Sequence, residues 1–337
     1  MNNKTKKILL IIFGISLSAA ALYYAFRDAD FNFIKRQILD CDLRFAAALV
    51  LCVLASWLMR AVRWKIITWV NLPFIDIIKF SFAGAVLNLL LPVRLGEVGR
   101  AYLYTRRTET SMSNTLGSIF IERVFDGVSI VFYFSMLTFV FFSSEMKNLF
   151  KDNPKSLVAV YIISALFVVL LAGIFCGIFL KEHMLVWSGR LCRLLPVKLG
   201  SRLDYMAQNI LHSFDVLRKK RNIFGIFFSG MAIFFFEAMI LHFTMRSLHG
   251  SLPLGYSIII MVLIGFSVTL PSAPGGLGIV EAAVTMVLPL IGSSITHDFA
   301  RSYVLLYRIG YTPIILIIGF ISIATFGVKF SELIKSH

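Results

Sequence analysis

Three charged residues within an otherwise apolar stretch are the first candidates for chemistry in this sequence. Arg94, Glu97 and Arg100 follow Pro92 at intervals of three residues, so in a helix they would lie on one side of a turn. A charged side chain near the centre of a bilayer costs about 2.5–3.5 kcal/mol on insertion scales. Such residues therefore usually face a polar cavity or a charged partner, which makes these three candidates for binding a ligand.

A second group of charges follows early in the next apolar segment. Asp126 lies one helical turn from both Glu122 and Arg123, so an internal ion pair is available there. The remaining charges within apolar segments are Glu237, Glu281, Arg301 and Arg308. Arg301 and Arg308 are seven residues apart and would share one helix face.

These residue types predict an anion site. Arginines that converge with the N-termini of half-helices suit a phosphate, because backbone N–H groups and the guanidinium fork both donate to its oxygens. The carboxylates could balance the charge or carry protons. The alternative is a purely structural network of ion pairs that locks the helices together. Arg60 and Arg63, near the inner end of a predicted span, are expected to reach toward lipid headgroups.

Two stretches rich in proline and glycine predict breaks in the helices beside these charges. The break residues are Pro92, Gly96, Pro271, Pro274, Gly275, Gly276 and Gly278. Irregular backbone within a membrane is tolerated only where protein or a water-filled cavity surrounds it. The breaks therefore predict exposed backbone groups near a ligand, and close helix packing is the competing explanation for the glycines.

The composition shows what solvent these segments meet. Of 337 residues 58% are hydrophobic and 15% charged, with 32 Phe, which is too apolar for one water-soluble core. The net charge of +15 is spread between apolar runs, so we expect it to orient the chain and not to bind nucleic acid. Scattered Cys and His predict no disulfide and no metal site. Without a phosphate loop or a Ser/His/Asp arrangement, neither an enzyme nor a cofactor is expected.

The fold class predicted is an all-α polytopic membrane protein in one domain, 1–337. The predicted full spans are 8–26, 45–62, 115–142, 157–180, 223–245 and 302–323, and two re-entrant broken-helix hairpins cover 77–107 and 257–291. The N-terminal run exceeds a signal core in length, so cleavage is not expected. Lys and Arg between the spans place both termini in the cytoplasm. Segment 181–222 is predicted to be an amphipathic linker on the inner leaflet, or else a docked soluble helix.

The two broken regions repeat one another. The order Leu-Pro, Leu-Pro, Leu-Gly-x-Val-x-x-Ala occurs from Leu72 and again from Leu252, and Arg123 then falls opposite Arg308. By the predicted topology the two units, 45–142 and 223–326, are inverted. Inverted repeats with broken helices are typical of transporters, with the binding site where the breaks meet. The alternative is a duplication kept only for stability.

Four motifs together resemble one known family. PVRLGEVGRAYL (92–103), ERVFD (122–126), RAVRW (60–64) and PSAPGGLGIVEAAV (271–284) are similar to the flippase-like membrane region of lysylphosphatidylglycerol synthases. The resemblance spans nearly the whole chain. It implies a role for residues in the matched motifs, namely Arg94, Gly96, Glu97, Arg100, Glu122, Arg123, Asp126, Pro274, Gly275, Gly276, Gly278, Glu281 and Arg308. Because the chain ends at His337, the aminoacyl-transferase domain of those synthases is expected to be absent.

The resemblance implies lipid translocation. We expect a flippase-like transporter of a phospholipid or a polyprenyl-linked lipid in a bacterial or archaeal cell (inner) membrane. The alternatives are a membrane-embedded lipid headgroup transferase and a non-transporting partner of a glycosyltransferase. The expected partners are the lipid itself and a lipid-modifying enzyme or glycosyltransferase, with no nucleic acid.

Overall fold

The apolar runs of the sequence form long helices joined by short links. The computed structural model of the chain describes residues 3–68, 70–91, 95–141, 220–268, 273–291 and 295–326. The helices in these ranges are α1 Asn3–Phe26, α2 Phe31–Leu39, α3 Leu43–Ile67, α4 Phe74–Leu90, α5 Gly96–Thr108, α6 Met112–Phe141, α7 Lys220–Ser247, α8 Leu254–Ser267, α9 Ile279–Ile291 and α10 His297–Thr325. A 3₁₀ turn, Pro274–Gly276, precedes α9.

The predicted fold class, an all-α polytopic membrane protein, is confirmed. Within the described ranges, four helical stretches are long and apolar enough to cross a membrane: Leu43–Ile67, Asn222–Ser247, Pro274–Ile291 and His297–Thr325. Helices α1 and α6 coincide with two further predicted spans. The predicted span 157–180 and the amphipathic segment up to residue 219 lie outside the described residues.

The start of α10 differs from the prediction. We predicted the helix from 302, but it begins at His297, where the Thr296 hydroxyl caps it by accepting from the backbone N–H of Phe299 at 3.2 Å. Asp298 and Arg301 lower the hydropathy of this first turn, and a capping hydroxyl stabilises a helix start whatever the hydropathy. The polar turn therefore belongs to the helix.

Residues 27–44, between the first two predicted spans, contain a helix that was not predicted. Helix α2 begins after Asp30, whose carboxylate accepts from the backbone N–H groups of Asn32 and Phe33 at 2.9 and 3.0 Å. Asp is one of the preferred residues for this capping position. The nine residues of α2 are too few for a hydropathy pattern to reveal.

Both predicted hairpins consist of short helices around a break. Helices α4 and α5 have 17 and 13 residues, and α8 and α9 have 14 and 13. At 1.5 Å per residue these helices are about 20–25 Å long, each short of the roughly 30 Å of a hydrocarbon core. Helix α9 reaches the length of a candidate span only together with the 3₁₀ turn before it, as Pro274–Ile291. Of the predicted break residues, Pro92 and Pro271 lie outside the described residues. The re-entrant path and the inverted orientation stay predictions.

The chain forms two compact units. The first comprises Met1–Leu58, Ile78–Arg100 and Ala232–His337, and the second comprises Met59–Ile77 and Ala101–Met231.

In the first unit, α9 packs against α1, α8 and α10. Close approach of helices is possible there because of small residues: a Cβ on Gly319 of α10 would lie 2.6 Å from Val86 Cβ of α4. Phe80 and Phe326 stack with ring centroids 4.5 Å apart. Helix α9, which follows the second break, is thus packed inside this unit, and its buried residues include Val280, Val284 and Leu288.

In the second unit, aromatic packing joins the end of α3 to α5. Trp64 is fully buried and its ring centroid is 5.0 Å from that of Tyr104. The Tyr133 hydroxyl of α6 donates to the Met231 carbonyl of α7 at 2.8 Å. Ile121 and Ile226 are also fully buried. These contacts fix the position of α6 and therefore the position of its charged side chains.

The glycines of the second break give a test of this packing. Gly278 has φ +85°, a left-handed conformation that side chains disfavour, and a Cβ added to it would collide with the Ser18 carbonyl oxygen. We expect Gly278→Ala to lower the melting temperature of the detergent-purified protein strongly. The backbone conformation alone costs of order 1–3 kcal/mol.

Gly127→Ala is the matched control, because a Cβ at this position in α6 meets no atom within 4 Å. Alanine is favoured over glycine in a helix by about 1 kcal/mol, so Gly127→Ala should keep or raise the melting temperature. Equal melting temperatures for Gly278→Ala and the wild type would show that the break does not have this geometry.

Candidate functional site

The second break brings two predicted site residues together. Arg308 of α10 donates from Nε to Glu281 Oε1 at 2.7 Å. Its other donors bind backbone carbonyls of the break: Nη1 donates to Gly275 O at 2.9 Å and Nη2 to Gly276 O at 3.2 Å. Gly275 and Gly276 have φ of +66° and +68°, so their carbonyls can turn toward α10. A single guanidinium thus satisfies three acceptors at the break.

Glu281 closes the other side of the same break. Its Oε2 accepts from the Gly278 backbone N–H at 2.7 Å, while the Gly278 carbonyl accepts from the Ala282 N–H at 2.9 Å. Gly278 is therefore the capping residue of α9, and Glu281 is the third helical residue that returns to its N–H, half of a capping box. Glu281 is only 2% exposed. Its charge is balanced by Arg308 and by the positive end of the helix dipole.

Chemically, this arrangement holds an anion between a guanidinium and a helix N-terminus. That anion is the carboxylate of Glu281, which accepts from both donors. We name Gly275, Gly276, Gly278, Glu281 and Arg308 the break cluster.

Helix α1 fixes the break cluster from the opposite side. The Ser18 hydroxyl accepts from the Ala273 backbone N–H at 2.7 Å, and Ser18 is 5% exposed. Ser18 was not among the predicted site residues. The available signal was the run of serine and alanine from Ser16 to Ala21, since small residues allow two backbones to approach closely.

The end of α4 lies beside the second break within the first unit. A Cβ on Gly275 would lie 2.6 Å from Leu89 Cδ1, and Leu89 is in the last turn of α4. The expectation that the two breaks meet at a binding site stays a prediction. Arg94, the first residue of the first predicted group, lies outside the described residues.

The other residues of that first group lie on α5. Arg100 is 5% exposed and its side chain crosses Gly84 of α4, where an added Cβ would be 2.9 Å from Arg100 Cβ. Gly96 also faces α4, because a Cβ there would collide with the Asn88 backbone nitrogen. Glu97 lies in the first turn of α5. A glycine on the facing helix thus makes room for the buried arginine.

A second cluster, in the other unit, contains Glu122, Arg123 and Asp126 as predicted and one residue that was not. Arg63 Nη2 lies 2.7 Å from Asp126 Oδ1 and 3.3 Å from Glu122 Oε1. Arg123 Nη1 donates to Asp126 Oδ2 at 2.8 Å. These four residues, the acidic-basic cluster, contain two positive and two negative groups.

The expectation that Arg63 reaches toward lipid headgroups is wrong. Its side chain is fully buried, because two carboxylates of α6 compensate its charge. Gly230 of α7 leaves the space, since a Cβ there would be 2.5 Å from Ser129 Oγ and 3.6 Å from Arg63 Nη1. The charge imbalance of α6 was the signal that could have pointed to Arg63. The predicted group on α6 has two acids and one base, so it lacks one positive partner.

Among the described residues, no group of three or more His, Cys, Asp or Glu side chains could hold a metal ion. The polar chemistry of both clusters is that of arginine, carboxylate and backbone groups.

Comparison with known proteins assigns the chain to a family. The family described as the lysylphosphatidylglycerol synthase TM region matches residues 11–319. The chain belongs to this family. A UPF0104 membrane protein of Methanocaldococcus jannaschii is 26% identical over 231 residues, which cover 68% of this chain and 90% of that protein. The resemblance inferred from the motifs is confirmed, and the chain is an integral membrane protein.

For this family member, the acidic-basic cluster predicts unequal effects for two arginines that bind the same carboxylate. Arg63→Gln leaves Glu122 and Asp126 buried with less compensation, and removing one partner of a buried pair costs about 3–5 kcal/mol. The side chain of Arg123 is 36% exposed, and in Arg123→Gln the buried Arg63 still pairs with both Asp126 and Glu122. We expect a much larger fall in melting temperature for Arg63→Gln. Equal falls, or a larger one for Arg123→Gln, would contradict the burial of Arg63.

Proposed function

We propose that this protein moves a phosphate-bearing lipid, either a phospholipid or a polyprenyl-linked lipid, across the membrane. Three features support the proposal: membership in the synthase membrane-region family, the pair of broken hairpins, and arginines at the breaks. The observation that carries it is the contact of Arg308 with Glu281 at the Gly275–Gly278 break. An arginine and a helix N-terminus there already hold one anionic group.

The lipid phosphate would bind by exchange with Glu281. A phosphate oxygen is an acceptor for the same two donors, Arg308 Nε and the Gly278 N–H, and a guanidinium suits it as well as it suits a carboxylate. Movement of Glu281 away from Arg308 would leave the guanidinium uncompensated, and the phosphate would restore the balance. The site therefore has one anionic occupant at a time.

The acidic-basic cluster offers further donors for an anion. Nε and Nη1 of Arg63 have no hydrogen-bond partner among the described residues, and buried donors of this kind are uncommon in proteins. We propose that an oxygen of water or of the lipid phosphate satisfies them during transport. We also propose that the lipid pathway includes Glu97, Arg100 and Arg94, the last of which lies outside the described residues.

The chain's chemistry favours transport over catalysis. Both described clusters pair their acids with arginines, which leaves each carboxylate hydrogen-bonded instead of free to act on a headgroup. We propose that the protein itself is not an enzyme and that a lipid-modifying enzyme or glycosyltransferase supplies its lipid. Lys and Arg in the links support a cytoplasmic position for both termini.

The competing role for the same geometry is a structural one. Each cluster is charge-balanced, so each could serve only to hold helices together. Under that role, removal of one charge would lower the free energy of unfolding. Variants that stay folded would move lipid like the wild type.

Lipid movement in proteoliposomes separates the two roles. The probe is a fluorescent phosphatidylglycerol in vesicles of phosphatidylcholine, and the readout is the fraction that a membrane-impermeant reductant bleaches. We expect the wild type to expose the inner-leaflet probe and Arg308→Gln to lose most of this activity. Arg308→Lys should recover only part of it, because an ammonium group lacks the bidentate fork.

Arg246→Gln is the matched control, because Arg246 is an exposed arginine on α7 outside both clusters. It should move the probe like the wild type. Full activity of a well-folded Arg308→Gln protein would eliminate Arg308 as a phosphate ligand. A wild type that moves neither this probe nor a labelled polyprenyl phosphate would contradict translocation and favour an accessory role.

A further inference from the structure

Helix α2 has one face on the protein and one face that no described residue covers. Ile34 is 3% exposed and faces α10, against which α2 packs. On another face Phe31 is 64% and Leu39 is 75% exposed, with Lys35 between them in the helical repeat. Residues at i, i+4 and i+8 lie along one line of a helix surface. This line carries two large apolar side chains and one long basic one.

The position of α2 is set by hydrogen bonds from the first turn of α10. Arg301 Nε donates to Ala25 O in the last turn of α1 at 2.6 Å, and its Nη1 donates to Asp28 O in the following link at 3.1 Å. Asp298 pairs with Arg301 and accepts from the Asp30 backbone N–H at 3.3 Å. Arg301, 7% exposed, thereby fixes the corner between α1 and α2.

The links on either side hold α2 at the level where two membrane helices end. Four residues separate α1 from α2 and three separate α2 from α3. Tyr23 and Tyr24 in the last turn of α1 are 66% and 58% exposed, and Leu43, which begins α3, is 76% exposed. Tyrosine is enriched where a membrane meets water, because its ring is apolar and its hydroxyl is polar. The exposed side chains around α2 thus have the composition of an interfacial belt.

We propose that α2 lies in the membrane–water interface, with Phe31 and Leu39 in the boundary between headgroups and acyl chains. The partner is the lipid bilayer itself. Lys35 can extend its stem along the apolar line and place its ammonium among the headgroups. Asn32 and Arg36, exposed on an adjacent face, would meet headgroups and water. The region is therefore a membrane anchor and not an aqueous loop.

Spin labels on the full-length protein can locate this helix. Starting from a protein whose four native cysteines are replaced, single cysteines at 31, 39, 32 and 36 are labelled, and the protein is reconstituted into phosphatidylcholine–phosphatidylglycerol vesicles. All four residues are exposed, so the labels do not disturb packing. Oxygen concentrates in the acyl region and a neutral nickel chelate in water, and their collision rates with each label are compared.

We expect the ratio of oxygen to nickel collisions to be several-fold higher at 31 and 39 than at 32 and 36. Equal, nickel-dominated ratios at all four sites would show an aqueous loop and overturn the proposal. Equal, oxygen-dominated ratios would place α2 within the hydrocarbon and also overturn it. Low collision rates with both reagents at 31 and 39 would mean that a protein surface, such as a second copy, covers this face.

Discussion

Charge neutralisation inside an apolar molecule is the constraint on which the rest of this structure depends. Embedded acids and bases occur here in close pairs, Glu281 with Arg308 and Asp126 with both Arg63 and Arg123. A charge left without compensation in a low-dielectric interior would cost several kcal/mol. The helices must therefore approach closely enough for short arginine–carboxylate contacts, and the glycines facing the clusters provide that approach.

The same arginines also replace hydrogen bonds that broken helices lose. Arg308 donates to two carbonyls of the Gly275–Gly276 turn. Arg301 donates to the Ala25 carbonyl in the last turn of α1 and to the Asp28 carbonyl in the link that follows. Backbone carbonyls without partners are not tolerated in lipid, where water cannot replace the missing donors. One helix, α10, thus supports both a break and a helix end through side chains seven residues apart. In our proposal the phosphate would use the same donors that support the break, so it would exchange with Glu281 and not occupy an empty cavity.

Much of the fold could be predicted from the sequence because long apolar runs and Pro/Gly breaks have strong physical consequences in a membrane. The pairing of Arg308 with Glu281 was not predicted as such, although both residues were selected. Arg63 was misjudged because its depth depends on the carboxylates of a distant helix, which hydropathy along one segment cannot reveal. Helix α2 was missed because nine residues capped by Asp30 carry too little periodicity, and Ser18 because its role requires the backbone of another element.

A double-mutant cycle on the free energy of unfolding tests whether Arg308 and Glu281 act as one unit. Arg308→Gln, Glu281→Gln and the double variant are unfolded reversibly in mixed micelles. If the pair is direct, the double variant should lose less stability than the two single losses together, with a coupling energy of about 0.5–3 kcal/mol. Additive losses of stability would contradict direct coupling, because they would mean that neither residue depends on the other.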